Sequence, residues 1–358
     1  MSFVDVSDFD YALPEELIAQ HPPAERGQSR LLVLPRVRGP VAHTSFARLV
    51  DYLRPGDLLV LNNTKVFPAR LRGHRVPSGG EVECLLIDRL PALPVGGSAT
   101  EWDALMHPGQ KLKPGARVVF ERDGVRLHGE VVARHFHGRR TIRLWTESDL
   151  GVRAVIDRIG HVPLPPYITR EDEPSDRDRY QTVYARELGS VAAPTAGLHF
   201  TEELLATLAA RGVERTDVTL HVGYGTFKPV RTERVDDHHV DPESFSVSEA
   251  AASALTSARR EHRRVIAVGT TTARVLESLT IGEDGRLTAA SGRAHLFIRP
   301  GHRFQLVDGL ITNFHLPRSS LLMLVAAFAG RDRVLDAYRQ AIEQRYRFYS
   351  YGDAMLIL

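Results

Sequence analysis

A block of short β-strands interrupts a longer region in which strands and helices alternate, and this arrangement limits the possible folds more than any other feature. In residues 70–146, apolar and polar residues alternate in short runs separated by glycine- and proline-containing turns. This pattern is typical of a small all-β barrel or sandwich. After Pro163, strand and helix patterns alternate, as they do in a sheet covered by helices. Together the two patterns indicate an α/β protein with a second, all-β part.

The chain of 358 residues is long enough for about two domains. We predict a larger α/β barrel-like domain built from both chain ends, residues 1–66 and 152–358, with a small all-β barrel domain inserted at residues 67–151. Helices are predicted at residues 201–211, 248–260, 271–279, 319–329 and 331–345, and strands at residues 218–222, 264–268, 294–298 and 310–314.

Composition excludes several classes of protein. The single cysteine, Cys84, cannot form an internal disulfide or a multi-cysteine metal site. The longest apolar run, residues 321–330, is shorter than the ~20 residues of a membrane-spanning helix, and the acidic start does not resemble a signal peptide. We therefore expect a cytoplasmic protein without membrane contact. The motifs of nucleotide hydrolysis, hydride transfer and serine nucleophiles are also missing.

Two segments with glycine and threonine suit a ligand site. Gly269, Thr270 and Thr271 follow an apolar strand and begin a helix, where free N–H groups and the helix dipole attract a phosphate or carboxylate. The alternative is an ordinary threonine N-cap. Residues 189–200 contain small residues that let a ligand approach the backbone closely, although a plain connecting loop fits them equally well.

Histidines and acids near strand ends are candidates for acid/base chemistry. His221 precedes a G-x-G turn, and Thr226 and Lys228 follow it, which places all three near a strand end, where α/β sheets bind ligands. An ordinary β-turn is the alternative. Asp237 with His238, and His135 with His137, invite comparison with metal sites. Neighbouring residues on one loop rarely converge on a single ion, so we predict no metal site.

Three arginine clusters combine basic and aromatic residues, at residues 134–140, 259–264 and 344–349. Such mixtures suit phosphate contact and base stacking in RNA-binding proteins. For each single cluster, a solvated surface is the alternative interpretation.

Beyond these patterns, the chain closely resembles the S-adenosylmethionine:tRNA ribosyltransferase-isomerase family of queuosine biosynthesis, almost from end to end. The strongest matches are residues 193–200 (APTAGLHF), 219–223 (TLHVG), 268–271 (VGTT), 312–317 (TNFHLP) and 348–355 (FYSYGDAM). The chain departs from the family pattern at Leu188, where proline is frequent, at Tyr224, where a smaller residue is usual, and at Thr272 and Ala273.

The resemblance implies transfer and isomerisation of the ribosyl moiety of S-adenosylmethionine onto 7-aminomethyl-7-deazaguanine at the tRNA wobble position. The products are epoxyqueuosine-tRNA, adenine and methionine. S-adenosylmethionine is then a co-substrate, with no prosthetic group and no metal. It also implies a tRNA partner and an α/β barrel-like domain carrying a small β-barrel, and we expect a monomer.

The resemblance and the motifs together give a set of candidate site residues. The catalytic candidates are His199, His221, His315, Asp237 and His238. The co-substrate candidates are Pro194, Thr195, Ala196, Gly197, Gly269, Thr270, Thr271 and Arg274. The tRNA candidates are Arg134, Phe136, Arg139, Arg140, Arg345 and Arg347. We expect the helix start after Gly269 to hold the methionine carboxylate, with Arg274 adding positive charge.

Two other functions fit parts of the sequence. A catalytically silent tRNA-binding protein would use the arginine clusters alone. A phosphoribosyltransferase-like enzyme would use a similar threonine-rich loop, but that class carries an acidic pair at the end of the preceding strand, where this chain has Ile266, Ala267 and Val268.

Overall fold

Two separate sets of strands organise the chain: a nine-stranded sheet and a closed six-stranded barrel, joined by one short two-stranded sheet. The structure is a computed structural model and describes residues 4–91, 99–136, 138–227 and 230–358. The strands of the described residues are β1 (Arg30–Leu34), β2 (Ala42–Ser45), β3 (Leu58–Asn62), β4 (Thr64–Val66), β5 (Arg70–Val76), β6 (Glu81–Arg89), β7 (Thr100–His107), β8 (Arg117–Arg122), β9 (Val125–Arg134), β10 (Arg139–Trp145), β11 (Glu187–Ser190), β12 (Glu214–Leu220), β13 (Glu243–Val247), β14 (Val265–Val268), β15 (Ala290–Ala294), β16 (Gly309–Asn313) and β17 (Ala354–Ile357). The α-helices are α1 (Val152–Ile159), α2 (Asp176–Arg179), α3 (Glu202–Ala210), α4 (Glu249–Arg260), α5 (Thr270–Glu277), α6 (Ser320–Ala329) and α7 (Arg331–Glu343).

The large sheet has a parallel centre. Its strand order is β15-β13-β12-β3-β14-β16-β17-β1-β2, and β12, β3, β14 and β16 run parallel to one another. Strand β17 is antiparallel to β16, and β1 is parallel to β17. The carboxyl ends of the four central strands therefore lie at the same edge as the amino ends of β17 and β1.

Both faces of the sheet are buried, because its central strands are apolar at nearly every position. Leu58 and Val60 of β3 pack with α4 to α7 on one face, whereas Leu59 and Leu61 pack with α3 on the other. This alternation follows from the two-residue repeat of a strand.

The predicted α/β class and the small all-β barrel are confirmed. The large sheet has β15 and β2 as its edge strands in the described part of the chain, so it is open. The five predicted helices are present with ends shifted by up to two residues. The strand predicted at residues 294–298 lies instead at Ala290–Ala294, where it pairs with β13.

The barrel has its own core, and helix α1 packs on it. Val155 and Ile156 of α1 are fully buried among the inward side chains of the barrel strands. Cys84 is also buried in this core, and burial raises the pKa of its thiol.

The barrel strands span residues 70–145, and the domain limits at residues 67 and 151 stay predictions. In the described ranges, no helix is both long enough and apolar enough to cross a membrane.

Two arginines predicted to contact tRNA hold the barrel together. Arg140 is only 1% exposed, and its guanidinium donates to the backbone carbonyls of Leu112, Arg139 and Gly109. Its donors are enclosed and already used in this structure, and the contact of Arg140 with phosphate stays an untested prediction. The side chain of Arg139 forms an ion pair with Asp103 across β10 and β7.

Two other residues of this cluster, Arg134 and Phe136, have exposed side chains. Arg134 is exposed and the Phe136 ring is 87% exposed, so their contact with tRNA stays a prediction. His137 and the loop at residues 92–98 lie outside the described residues.

We expect Arg140→Ala to destabilise the barrel by about 3 kcal/mol, because three buried carbonyls lose their donor. Both tryptophans of the chain, Trp102 in β7 and Trp145 in β10, lie in the barrel, so urea unfolding followed by tryptophan fluorescence reports on the barrel. Arg134→Ala, at an exposed position, is the matched control. Equal unfolding midpoints for the two variants would contradict the structural role of Arg140.

Candidate active site

A cavity opens at the edge of the large sheet where the carboxyl ends of its parallel strands meet. It encloses about 690 Å³ of space, including the part open to solvent. This is the edge at which open α/β sheets bind ligands. Seven of the residues predicted for the site line this cavity: Pro194, Thr195, Ala196, Gly269, Thr270, Thr271 and His315. The two glycine- and threonine-containing segments thus come together in one cavity.

Gly269 makes the sharp turn from β14 into α5. Its φ of +91° is unfavourable for residues with a side chain, and its N–H donates to the Ile311 carbonyl of the neighbouring strand at 2.8 Å. Helix α5 therefore begins at the cavity wall with Thr270 and Thr271. The positive end of the helix dipole lies there, where a carboxylate is stabilised.

Asn313, the last residue of β16, lies in the cavity wall with one unpaired atom. Its Nδ2 donates to the Tyr349 carbonyl at 2.9 Å and to Nε2 of His199 at 3.2 Å. Because a backbone carbonyl only accepts hydrogen bonds, the atom facing Tyr349 must be the amide nitrogen. Oδ1 is left buried and without a partner among the described residues. Such an orphaned acceptor costs about 1–3 kcal/mol unless a ligand donates to it.

His199 lies behind Asn313 and does not line the cavity. Its Nδ1 bonds to the Ser29 hydroxyl at 2.8 Å and its Nε2 accepts from Asn313, so both ring nitrogens are occupied. Burial lowers the pKa of His199 to about 4, and the charges of Arg26 and Arg347 add to this effect. A neutral, doubly bonded imidazole suits the positioning of Asn313 better than proton transfer.

Of the five catalytic candidates, all of them described, His315 is the one that lines the cavity. Its Nε2 bonds to the Thr312 hydroxyl at 2.7 Å, and its backbone N–H donates to the Tyr338 hydroxyl at 3.0 Å. Burial lowers the pKa of His315 to about 3, so the ring is neutral at physiological pH and can accept a hydrogen bond or a proton.

The other catalytic candidates lie away from the cavity wall. His221 packs against Gly189 and bonds to the Thr64 hydroxyl at 2.8 Å; burial lowers its pKa, and its neighbour Val222 lines the cavity. Asp237 is exposed, and burial lowers the pKa of His238, whose ring contacts Phe297.

Arg274, which is predicted to bind the co-substrate, forms a buried ion pair. It is 7% exposed, and its Nη1 donates to Oε2 of Glu243 at 2.6 Å while its Nε donates to the Leu296 carbonyl at 3.2 Å. The other oxygen of Glu243 accepts from the Gly223 N–H at 2.9 Å. Arg274 therefore links α5 to β13 in a buried ion pair. Its Nη2 is buried without a partner among the described residues, and the side chain does not line the cavity; its contact with the methionine carboxylate stays a prediction.

Gly197 has a packing role that the sequence did not indicate. It lies in the 3-10 turn Thr195–His199, and a Cβ there would lie 2.1 Å from the Tyr184 hydroxyl. Glycine therefore lets the turn pack on Tyr184, and the turn carries Thr195 and Ala196 to the cavity.

Two tyrosines complete the cavity, and sequence analysis assigned neither. The rings of Tyr167 and Tyr349 are in contact, with their centroids 4.2 Å apart and their planes tilted by 32°. Tyr349 has a φ of +73°, a strained conformation for a residue with a side chain, and its buried hydroxyl has no partner among the described residues. Aromatic faces of this kind suit a flat heterocyclic base.

The remaining predicted contacts are scattered. Arg345 is exposed and lies 3.9 Å from Glu16, whereas Arg347 is half-buried and donates to the His21 carbonyl; their tRNA contacts stay predictions. Lys228 and the side chain of Thr226 lie outside the described residues.

Within the described ranges, no three or more His, Cys, Asp or Glu residues are placed to hold a metal ion. A wider depression of about 860 Å³ beside α3 contains none of the predicted site residues.

Comparisons with known proteins agree over nearly the whole chain. A family model described as "Queuosine biosynthesis protein" matches residues 6–357. The chain is 50% identical over 353 residues to an S-adenosylmethionine:tRNA ribosyltransferase-isomerase of Syntrophotalea carbinolica, covering 99% of each chain. It is 53% identical over 352 residues to a protein of the same name from an Anaeromyxobacter species, covering 98% of each. The crystal structure of S-adenosylmethionine tRNA ribosyltransferase from Thermotoga maritima is similar at a TM-score of 0.54 and 39% identity, covering 98% of this chain and 100% of that one.

We expect the buried His199 to make the protein less stable in acid. Its pKa is about 4 in the folded state and 6.5 ordinarily, so between these values the unfolded chain binds more protons. The stabilisation is complete above about pH 6.5 and is lost as the pH falls towards 4, by up to ~3 kcal/mol. His199→Gln should flatten this acid limb in urea unfolding measured from pH 4 to 8.

The control for this measurement is His295→Gln, because His295 is exposed. It should keep the wild-type pH dependence. Parallel curves for the two variants would show that His199 is not the buried neutral group described here.

Proposed function

Because the chain belongs to the queuosine biosynthesis protein family, we propose that it is an S-adenosylmethionine:tRNA ribosyltransferase-isomerase. The observation that carries this proposal is identity of 50% or more to enzymes of that name over 98–99% of both chains. The site supports it independently, since the segments expected to bind S-adenosylmethionine line a single cavity.

The proposed reaction moves the ribosyl moiety of S-adenosylmethionine onto 7-aminomethyl-7-deazaguanine at the wobble position of tRNA. The sulfonium acidifies the adjacent ribose carbon, so a positioned base can remove a proton there and open the sugar as adenine leaves. The neutral amine of the substrate base attacks the ribosyl carbon, and methionine is the second leaving group. Epoxyqueuosine-tRNA, adenine and methionine are the products.

We assign a different group of the substrates to each part of the cavity wall. The start of α5 at Thr270 and Thr271 binds the methionine carboxylate through its N–H groups. The aromatic pair of Tyr167 and Tyr349 binds one face of a heterocyclic base. Asn313 accepts a hydrogen bond through Oδ1 from an N–H group of that base or of the attacking amine.

His315 is the proposed general base. With Nε2–H donating to Thr312, its Nδ1 is free to accept a proton, and no hydrogen bond occupies Nδ1 in the described residues. The ring must be neutral to accept a proton, and burial keeps it neutral. The same burial makes the ring a weaker base, so this role requires that bound substrate raise the pKa of His315 towards the operating pH.

We also propose a co-substrate, an oligomeric state, a cellular location and a domain division for the protein. S-adenosylmethionine is consumed as a co-substrate without a prosthetic group, the protein acts as a monomer in the cytoplasm, and residues 67–151 form the inserted domain. A phosphoribosyltransferase-like activity is disfavoured, because the strand before Gly269 ends in the buried apolar residues Ile266, Ala267 and Val268 rather than in an acidic pair.

The activity is tested by incubating the protein with S-adenosylmethionine and tRNA that carries the 7-aminomethyl-7-deazaguanine precursor. We expect digested tRNA to contain epoxyqueuosine by mass spectrometry, with one adenine released per modified tRNA. Unmodified tRNA and no released adenine would contradict the proposed function.

We expect His315→Gln to lower kcat by about 100-fold or more, because proton transfer at the ribose carbon loses its base. The KM for S-adenosylmethionine should change little. Exchange of the ribose hydrogen beside the sulfonium, followed by NMR, reports on this step directly. His295→Gln is the control at an exposed position. Wild-type exchange in His315→Gln, with loss of exchange in His221→Gln, would move the role to His221.

A further inference from the structure

A shallow cleft adjoins the cavity and lies beside arginine side chains that bond to backbone carbonyls. Ser350 lines both the cavity and the cleft, so the two share a wall. Arg26 and Arg179 line the cleft beside Pro22 and Pro23. Arg347 does not line the cleft itself, but it donates to the carbonyl of His21, the residue before the lining residue Pro22. We call Arg26, Arg179 and Arg347 the arginine triad.

All three guanidinium groups of the triad bond to backbone carbonyls. Arg26 donates to the carbonyls of Leu198 and Asp178 at 3.1 and 3.0 Å. Arg179 donates to those of Ala24 and Pro23 at 3.1 and 2.6 Å. Among the described residues, no carboxylate lies within ion-pair distance of any of the three.

Some other buried or half-buried arginines are paired with acids, whereas the buried Arg140 bonds to carbonyls as the triad does. Arg170 pairs with Asp176, Arg264 with Asp57, and Arg274 with Glu243. Carbonyl partners orient a guanidinium but do not neutralise it. The triad therefore places three positive charges without a direct carboxylate partner beside the mouth of the cavity, and Asp178 and Asp353 offset those of Arg26 and Arg347 only from a longer distance.

Partial burial of the three positive charges of the triad close to one another also costs free energy. Arg26, Arg179 and Arg347 are each only partly exposed. Burial lowers the pKa of Arg26, and the charge of Arg179 adds to this effect; burial likewise lowers the pKa of Arg347. An anion in the cleft would relieve both penalties. A guanidinium has five N–H donors, so donors remain for it.

We propose that the arginine triad binds phosphate groups of the tRNA backbone on either side of the nucleotide whose base enters the cavity. This inference rests on the proposed function, since a nucleotide that inserts its base leaves its flanking phosphates at the cavity mouth. Guanidinium forks match phosphate oxygens in geometry. Arg347 was already a tRNA candidate from sequence, whereas Arg26 and Arg179 are new.

The test measures tRNA affinity against salt for the triple variant Arg26→Gln, Arg179→Gln and Arg347→Gln. Each phosphate contact in a single strand contributes about 0.7 to the slope of log affinity against log salt, so the slope should flatten by about 2 units. The Kd for S-adenosylmethionine, measured by calorimetry, should be unchanged. The matched control replaces Arg158, Arg286 and Arg339 by Gln, since all three are exposed and the lost charge is equal.

A second variant separates phosphate binding from anchoring of the Pro22–Pro23 segment. The triple Arg→Lys variant keeps the charges but loses the fork to the carbonyls, so it should retain most of the salt slope. A slope lost equally with Lys and with Gln, together with weaker S-adenosylmethionine binding, would show an anchoring role and overturn the proposal.

Failure of this inference is distinguishable from failure of the proposed function. Wild-type protein that modifies tRNA, with a Gln variant that keeps the wild-type slope and Kd, overturns the triad while the activity stands. Wild-type protein that neither modifies nor binds tRNA overturns both. A slope change in the triad variant alone, absent from the control, supports the proposal.

Discussion

The Asn313 amide holds together the three segments that surround the cavity. Its two N–H groups reach the Tyr349 carbonyl before β17 and the His199 ring on the 3-10 turn after Pro194, while its backbone ends β16. His199 is fixed in turn by Ser29 at the start of β1. One side chain thus sets the spacing of the Tyr349 wall, the Thr195–His199 turn and the sheet. This arrangement leaves Oδ1 buried without a partner among the described residues, and an N–H donor of a ligand would complete its hydrogen bonding.

The parallel centre of the sheet makes this arrangement possible. Four neighbouring strands end at one edge, so the residues that follow them converge without any long loop. The antiparallel β17 brings its own preceding segment to the same edge, and with it Tyr349 and the triad member Arg347. The proposed chemistry in the cavity and the proposed phosphate contacts beside it therefore both depend on this strand order.

The α/β class, the barrel and the meeting of two ligand-binding segments were predictable from sequence, because periodicity and strand–turn–helix patterns are local. The partners of the arginines were not. Arg140 and Arg274 look like free charges in sequence, yet the first is enclosed by carbonyls of Gly109 and Leu112 and the second is paired with Glu243. These contacts join residues about 30 positions apart. The apolar residues Leu296 and Ile298 likewise pack on the core from an irregular segment, while the less apolar residues Ala290–Ala294 before them form β15.

The central claim is that the cavity between α5 and Tyr349 binds S-adenosylmethionine. A crystal structure with S-adenosylhomocysteine tests it most directly. The ligand's carboxylate should lie at the N–H groups of Thr270 and Thr271, and a donor of the ligand or of an ordered water bound to it should lie within hydrogen-bond distance of Asn313 Oδ1. Ligand density in the depression beside α3, with Asn313 Oδ1 still unpartnered, would contradict the account.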